Sequence, residues 1–181
     1  MEDQEETKAP PRKKKKREKQ KTDFIIFGKR GSGLRTLAGM LGKHPQVMIN
    51  TAGMDGEKDK KIIGEGEILG RVVSYNNADL LFENIPPRIV HLTREPDDNA
   101  RELLLCQADG EITKKQLSLL AHQISREQRQ FRGRLAGNID TEVFELSYKD
   151  LMEFNPWKNE VLLDFLFLRF WRVKAKRVFD G

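Results

Sequence analysis

The chain has 181 residues, room for one domain of ordinary size, with 33 Lys and Arg against 28 Asp and Glu for a formal net charge of +5. A single cysteine, Cys106, excludes an internal disulfide and any CxxC metal site. No run approaches the roughly 18 apolar residues that a membrane span needs, and the charged N-terminus lacks the apolar core of a signal peptide, so a cytoplasmic location is expected.

Residues 1–22 pass from an acidic stretch, Glu2 to Glu6, to a basic one, Arg12 to Arg17, with almost nothing apolar. Such a segment cannot bury enough surface to offset chain entropy and is expected to be disordered, leaving 23–181 as the folded domain. The basic run is read first as solubilising; nuclear import, nucleic acid and an anionic surface are the other readings. No aromatic side chains interleave with it, which argues against base stacking there.

Phe24-Ile25-Ile26-Phe27 predicts a short buried strand. It enters a loop with glycines at 28, 31 and 33, then a helical pattern with Leu34, Leu37, Ala38 and Leu41 on one face. A strand, a glycine loop and a helix N-terminus together make an anion site, because loop N–H groups can converge on a phosphate and the helix dipole adds favourable potential. The same glycines would also serve a plain strand-to-helix turn. Gly28 and Gly33 have the spacing of the triphosphatase loop G-x-x-x-x-G-K-[ST], but Leu34 and Arg35 stand where its lysine and hydroxyl should be. Ordinary magnesium–triphosphate hydrolysis therefore lacks support. His44, before Pro45, reads as a helix terminator.

Arg88 to Thr93 predicts a second buried strand, followed by Arg94-Glu95-Pro96 and a helix start. An arginine at a strand's carboxyl end is well placed to fork onto a phosphate, and ligands of open α/β sheets bind at that end. The plainer alternative is an ion pair of Arg94 with Asp97 or Asp98. His91 lies in the apolar strand and reads as a core histidine. Glu102 to Cys106 continues the helix. A longer one is expected from about Thr113, its N-cap, to Leu135, with Leu117, Leu120, Ala121, Ile124, Phe131 and Leu135 on one face and a structural His122. Gly137-Asn138 ends it, and Val143 to Leu146 predicts a third strand. Pro156 starts a nearly all-apolar helix through Val161, Leu162, Phe165, Leu166, Leu168 and Phe170, ahead of a basic end at Arg172, Lys174, Lys176 and Arg177.

Four segments from Phe24 to Leu168 resemble, in order, the sulfotransferases that use 3′-phosphoadenosine 5′-phosphosulfate (PAPS), most of all the heparan-sulfate and bacterial carbohydrate types. Gly28, Arg30, Ser32, Gly33, Arg35 and Leu37, then His44-Pro45-Gln46-Val47, resemble the 5′-phosphosulfate loop and helix. Arg94-Glu95-Pro96 resembles the 3′-phosphate segment. Ile63-Gly64-Glu65 with Tyr75, and Val143 to Leu151 followed by Phe165-Leu166, are similar to two further stretches. The resemblance implies an α/β, P-loop-type three-layer fold with a mainly parallel central sheet flanked by helices. It also implies PAPS as sulfuryl donor, a carbohydrate or small-molecule hydroxyl as acceptor, and no metal.

Carried over residue by residue, it places Lys29, Arg30, Gly31, Ser32, Gly33, Leu34, Arg35 and Thr36 around the 5′-phosphosulfate. Arg94 and the position of Glu102 fall at the 3′-phosphate, with Lys174, Lys176 or Arg177 as late basic contacts. Arg30 would steady the transferring group. The candidate bases are Asp55 and Glu57, with Glu65 and His91 behind them; for Asp55 and Glu57 the other reading is a solvated charged loop. Three positions depart from the pattern: Gly31 stands for its Lys or Arg, Leu34 for its Thr and Glu102 for its Ser. A carboxylate beside a phosphate repels it. These departures keep open a non-catalytic relative that binds a nucleotide or a protein partner. A divergent nucleotide kinase is a third reading, with the missing lysine against it.

Overall fold

The computed structural model describes residues 22–54, 62–82, 86–106, 111–138, 140–153 and 156–166. The expected tail 1–22 lies outside these but for Thr22, as do Asp55, Glu57, Leu168, Phe170 and the basic end with Lys174, Lys176 and Arg177.

β1 (Phe24–Gly28) is buried along its whole length. Its unbroken run of aromatic and β-branched side chains suits a strand covered on both faces of a parallel sheet. It pairs with β4 (Ile68–Ser74) on one side and β5 (Arg88–Thr93) on the other. With β2 (Val47–Gly53), the short β3 (Ile62–Ile63) and β6 (Glu142–Ser147), the sheet runs β3-β2-β4-β1-β5-β6. Every pair is parallel except β2 with β3. The fold is thus the expected α/β arrangement around a mainly parallel sheet.

The sequence pattern named β1, β5 and β6 and missed the other three strands. β2 and β4 interleave Asn50, Thr51, Gly70 and Arg71 with their apolar residues, which blurs a continuous hydrophobic run. Gly70 is there for packing: a Cβ at that position would lie 2.4 Å from the Phe24 ring.

Helices cover both faces. α1 (Leu34–Leu41) buries Leu34, Leu37, Ala38 and Leu41, the predicted face. α5 (Tyr148–Met152) and α6 (Pro156–Phe165) join it on one core, through Leu151, Leu162 and Leu163 against Ile26 and Val90. Val161 is exposed, so the apolar surface of α6 is only partly inside. On the opposite face, α2 (Asp79–Phe82) and α4 (Lys114–Ala136) pack Leu81, Phe131 and Leu135 on Ile25, Phe27 and Ile89. α3 (Pro96–Leu105) lies on α4, with Ala100 and Leu103 against Ala121 and Ile124. Thr113 caps α4 as expected, in a reciprocal capping box with Gln116.

This topology positions the site. The chain leaves β1 for β2 on one side, then crosses from β4 to β5 on the other. At such a switch the connections diverge and leave a crevice at the carboxyl end of the central strand. The loop after Gly28 and the turn after Thr93 both emerge there.

Candidate phosphate site

Residues 29–33 join β1 to α1 in a tight turn. Both the Ser32 N–H and its hydroxyl donate to the Lys29 carbonyl, at 3.1 and 2.6 Å. Gly31 and Gly33 take φ of 81° and 94°, the left-handed region that side chains other than glycine's enter at a cost. Space also restricts them: a Cβ on Gly31 would lie 2.7 Å from Asn99 Oδ1, and one on Gly33 would lie 2.6 Å from the Tyr148 ring. Gly33 caps α1 without a side-chain hydrogen bond. The first N–H groups of any helix have no intrahelical carbonyl, so those of Leu34, Arg35 and Thr36 provide the anion-attracting end of α1.

The predicted residues distribute unevenly around this loop. Arg30, Arg35 and Thr36 are exposed at its rim. Leu34 belongs to the core, 4% exposed. Lys29 is also largely buried, and its Nζ sits 2.7 Å from Glu127 Oε2 on α4. The lysine reaches sideways into the α4 layer because this carboxylate is its counter-charge, so in this geometry it serves the protein rather than an incoming anion.

Arg94 comes from the adjacent strand. Its Nη1 donates to the Gly31 carbonyl at 2.9 Å, and its guanidinium carbon stands 4.3 Å from the centroid of the Tyr148 ring. Its ion pair is with Glu102, Nη1 to Oε2 at 3.5 Å, and not with Asp97 or Asp98, the plainer alternative read from the sequence. The Arg94 carbonyl accepts from Gln128 Nε2 at 2.8 Å. The loop and the Arg94 turn, 63 residues apart in the chain at Gly31 and Arg94, thus meet as one surface. Glu102, the position that the resemblance sets at the 3′-phosphate, faces Arg94 across that ion pair.

Two candidate bases lie elsewhere. Glu65 precedes β4, in a segment whose Gly66 N–H donates to Val47 at the start of β2. The strands are parallel, so Glu65 is at the opposite end of the sheet from the glycine loop; a seven-residue strand spans roughly 20 Å. His91 is on β5 but enclosed between the sheet and α4, with 0% exposure. Its Nε2 shares a 2.6 Å hydrogen bond with the Tyr75 hydroxyl, and its Nδ1 stands 3.6 Å from Glu145. Burial holds its pKa below the ordinary histidine value, against the opposing pull of Glu145. Burial also raises the Tyr75 phenol, with Glu127 adding to the shift. Arg132 binds Glu145 through Nε and Nη2 at 2.6 and 3.0 Å and holds that carboxyl below its usual range. The four side chains form a polar seam that ends at the protein surface.

Tyr148, Asn99, Glu127 and Gln128 were not singled out as site residues from the sequence. Tyr148 had a signal, since it lies in the late matched stretch. Asn99 is fully buried beside Gly31, and neither its amide nitrogen nor its oxygen has a hydrogen-bond partner. Nothing in the local pattern distinguishes it, or the two α4 residues, from ordinary polar helix positions.

No protein-family profile and no curated protein sequence matches the chain. Solved structures do match it in shape. The mouse sulfotransferase SULT7A1, solved in complex with PAP, superposes with a TM-score of 0.57 over 87% of this chain and 62% of its own, at 12% identity. A sulfotransferase from Alicyclobacillus acidocaldarius gives 0.51 over 82% and 81%, at 13% identity. The fold is that of the sulfotransferases. The chain spans less than two thirds of the mouse enzyme's length.

Among the described residues, no cluster of His, Cys, Asp and Glu could hold a metal ion, and no helix is long and apolar enough to cross a membrane.

Proposed function

We propose that this chain is a sulfotransferase-like protein that binds the 5′-phosphate end of an adenine nucleotide on residues 28–36. Its reaction class is sulfuryl transfer to a hydroxyl of a carbohydrate or small molecule. The observation that carries the reading is the meeting of the glycine loop with Arg94 at the switch point of a sheet with this fold. The nucleotide bound to the mouse neighbour, PAP, is the class of ligand we carry over.

The residues fit one end of PAPS and not the other. At the 5′ end, the loop turns through left-handed glycines at 31 and 33 that leave no room for a Cβ, and it leads into the α1 N-terminus. Arg30 and Arg35, exposed at the rim, add charge for the phosphate oxygens. At the 3′ end Glu102 opposes a phosphate, and no step is assigned to that group. When bound, such a donor supplies the sulfuryl group; the chain's part is to hold the 5′-phosphate by backbone donors and to balance charge from Arg30 and Arg35.

A non-catalytic relative is the second reading, favoured by the two ion pairs, Lys29 with Glu127 and Arg94 with Glu102, that already engage basic side chains of the loop region. Residues 23–181 as one domain, a cytoplasmic location and a hydroxyl acceptor are parts of the same proposal.

Calorimetric titration with adenosine 5′-phosphosulfate tests it. Micromolar binding that is weakened in Arg35→Glu, followed by transfer to any of a panel of sugars and phenols, supports the enzyme. Binding without transfer supports the non-catalytic relative. Absence of binding of adenosine 5′-phosphosulfate and of PAP alike overturns the nucleotide reading.

A further inference from the structure

We propose that Asn99 is a positioning residue of the glycine loop: when a phosphate or sulfate group engages Arg94, Gly31 leaves that arginine and its N–H settles on the Asn99 carboxamide. The proposal depends on the reading above only for the presence of such a group at the loop. The structure gives the Asn99 side chain no task of its own. It is fully buried, and neither amide atom has a hydrogen-bond partner among the described residues. A buried polar group left unpaired forfeits its hydration without return, and native interiors hold few of them.

Its surroundings name the partner it lacks. A Cβ on Gly31 would lie 2.7 Å from Asn99 Oδ1. That position and the Gly31 nitrogen are each one bond from the same Cα, so the oxygen stands beside the Gly31 N–H. Among the described residues this N–H has no acceptor. An unpaired donor and an unpaired acceptor are thus neighbours across one glycine, the residue type whose flanking peptide planes turn at least cost.

The Gly31 carbonyl is held elsewhere, by Arg94 Nη1 at 2.9 Å. The Glu102 contact uses the same Nη1, while Nε and Nη2 make no hydrogen bond among the described residues. A guanidinium binds an oxyanion best through two parallel N–H groups, and turning to present such a pair takes Nη1 off the carbonyl. Asn99 stays in place meanwhile. Its own N–H is fixed on the Glu95 carbonyl at 2.9 Å, and α3 is packed on α4 through Ala100 and Leu103. The loop is therefore the part that moves, and Asn99 is the fixed point on which it comes to rest.

The test combines calorimetry, urea denaturation and the amide proton spectrum of the wild type, Asn99→Leu and Asn99→Ala, with adenosine 5′-phosphosulfate and PAP as probes. Both variants should bind whichever probe the wild type binds about tenfold more weakly, the loss of one hydrogen bond. Without a probe, Asn99→Leu, close to asparagine in shape, should unfold at a urea concentration no lower than the wild type, because it removes an unpaired polar group. Asn99→Ala guards against a leucine too bulky beneath Gly31. The Gly31 amide proton should move downfield when the wild type is saturated and stay in place in both variants. A Gly31 shift that persists in the variants makes the anion itself the acceptor and overturns the proposal, as does a Gly31 proton unmoved in the saturated wild type. Unchanged affinities in the variants overturn it too, and the nucleotide reading then stands. Neither probe binding the wild type overturns both.

Discussion

The Nζ of Lys29 and the Oε2 of Glu127 lie 2.7 Å apart with the side chains 10% and 24% exposed. A loop lysine is thereby anchored to the middle of the longest described helix, and most of its stem is out of water. Removing one partner leaves the other charge stranded in a poorly solvated place. Glu127→Ala should cost about 2–4 kcal/mol in urea denaturation. The double substitution Lys29→Met with Glu127→Met should cost clearly less than Glu127→Ala alone. Equal losses would mean that the pair is solvated and contributes little.

Gly33 is the more demanding of the two left-handed glycines in the loop. Gly33→Ala meets both an unfavourable backbone region, about 1–2 kcal/mol, and the Tyr148 ring. Tyr148→Ala should restore part of the loss by clearing the ring, while the backbone part remains. Thermal denaturation of the two single variants and the double reads this directly. A neutral Gly33→Ala would contradict the loop geometry described.

Arg94 acts through shape as well as charge. Arg94→Lys keeps the charge but loses the flat stack on Tyr148 and the fork that reaches Gly31. A loss of about 1–2 kcal/mol is expected, from one hydrogen bond and one cation–π contact. In a double-mutant cycle with Tyr148→Leu, the effect of Arg94→Lys should shrink by the stacking part. Strict additivity would show that the stack contributes nothing.

His91 gives the fold a pH dependence. Its folded pKa is depressed below the ordinary value of about 6.5, so the unfolded chain takes up a proton first as pH falls. The stability from keeping it neutral is complete above that value and is lost as pH drops below it. Glu145 has a depressed folded pKa too, and its contribution is lost only at lower pH, through the carboxylate range. The Tm should therefore fall between about pH 7.5 and 5.5, with a shallower slope in His91→Gln. An identical slope in the variant would assign the dependence to other groups.

The sequence carried the parts of the fold that local physics writes plainly. β1, β5 and the buried face of α1 are apolar runs or helical repeats, and their boundaries agree with the structure to within a residue or so. Thr113 was legible because a capping box is local. β2 and β4 were not, since their polar and glycine residues are explained only by neighbours: Gly70 makes sense beside Phe24 and nowhere else. At the candidate site the loop glycines and Arg94 could be read from motif and position. The partners of Lys29 and Arg94 could not, because Glu127 lies 98 residues away from its lysine and helix positions of that kind are ordinarily solvent-facing. Leu34 and Glu65 show the converse. The resemblance made one a cofactor contact and the other a candidate base, while packing sends Leu34 into the core and strand direction sends Glu65 to the far end of the sheet.

Glu127 and Gln128 are neighbours on α4, and each holds a different strand exit: one the loop after β1, the other the backbone carbonyl at Arg94. α4 therefore works as a crossbar for two segments that would otherwise fluctuate separately. Neither exit can swing outward without letting go of the same turn of helix. Amide hydrogen exchange in the two exits should accordingly rise and fall together, as one cooperative unit whose opening energy is set by a helix outside both exits.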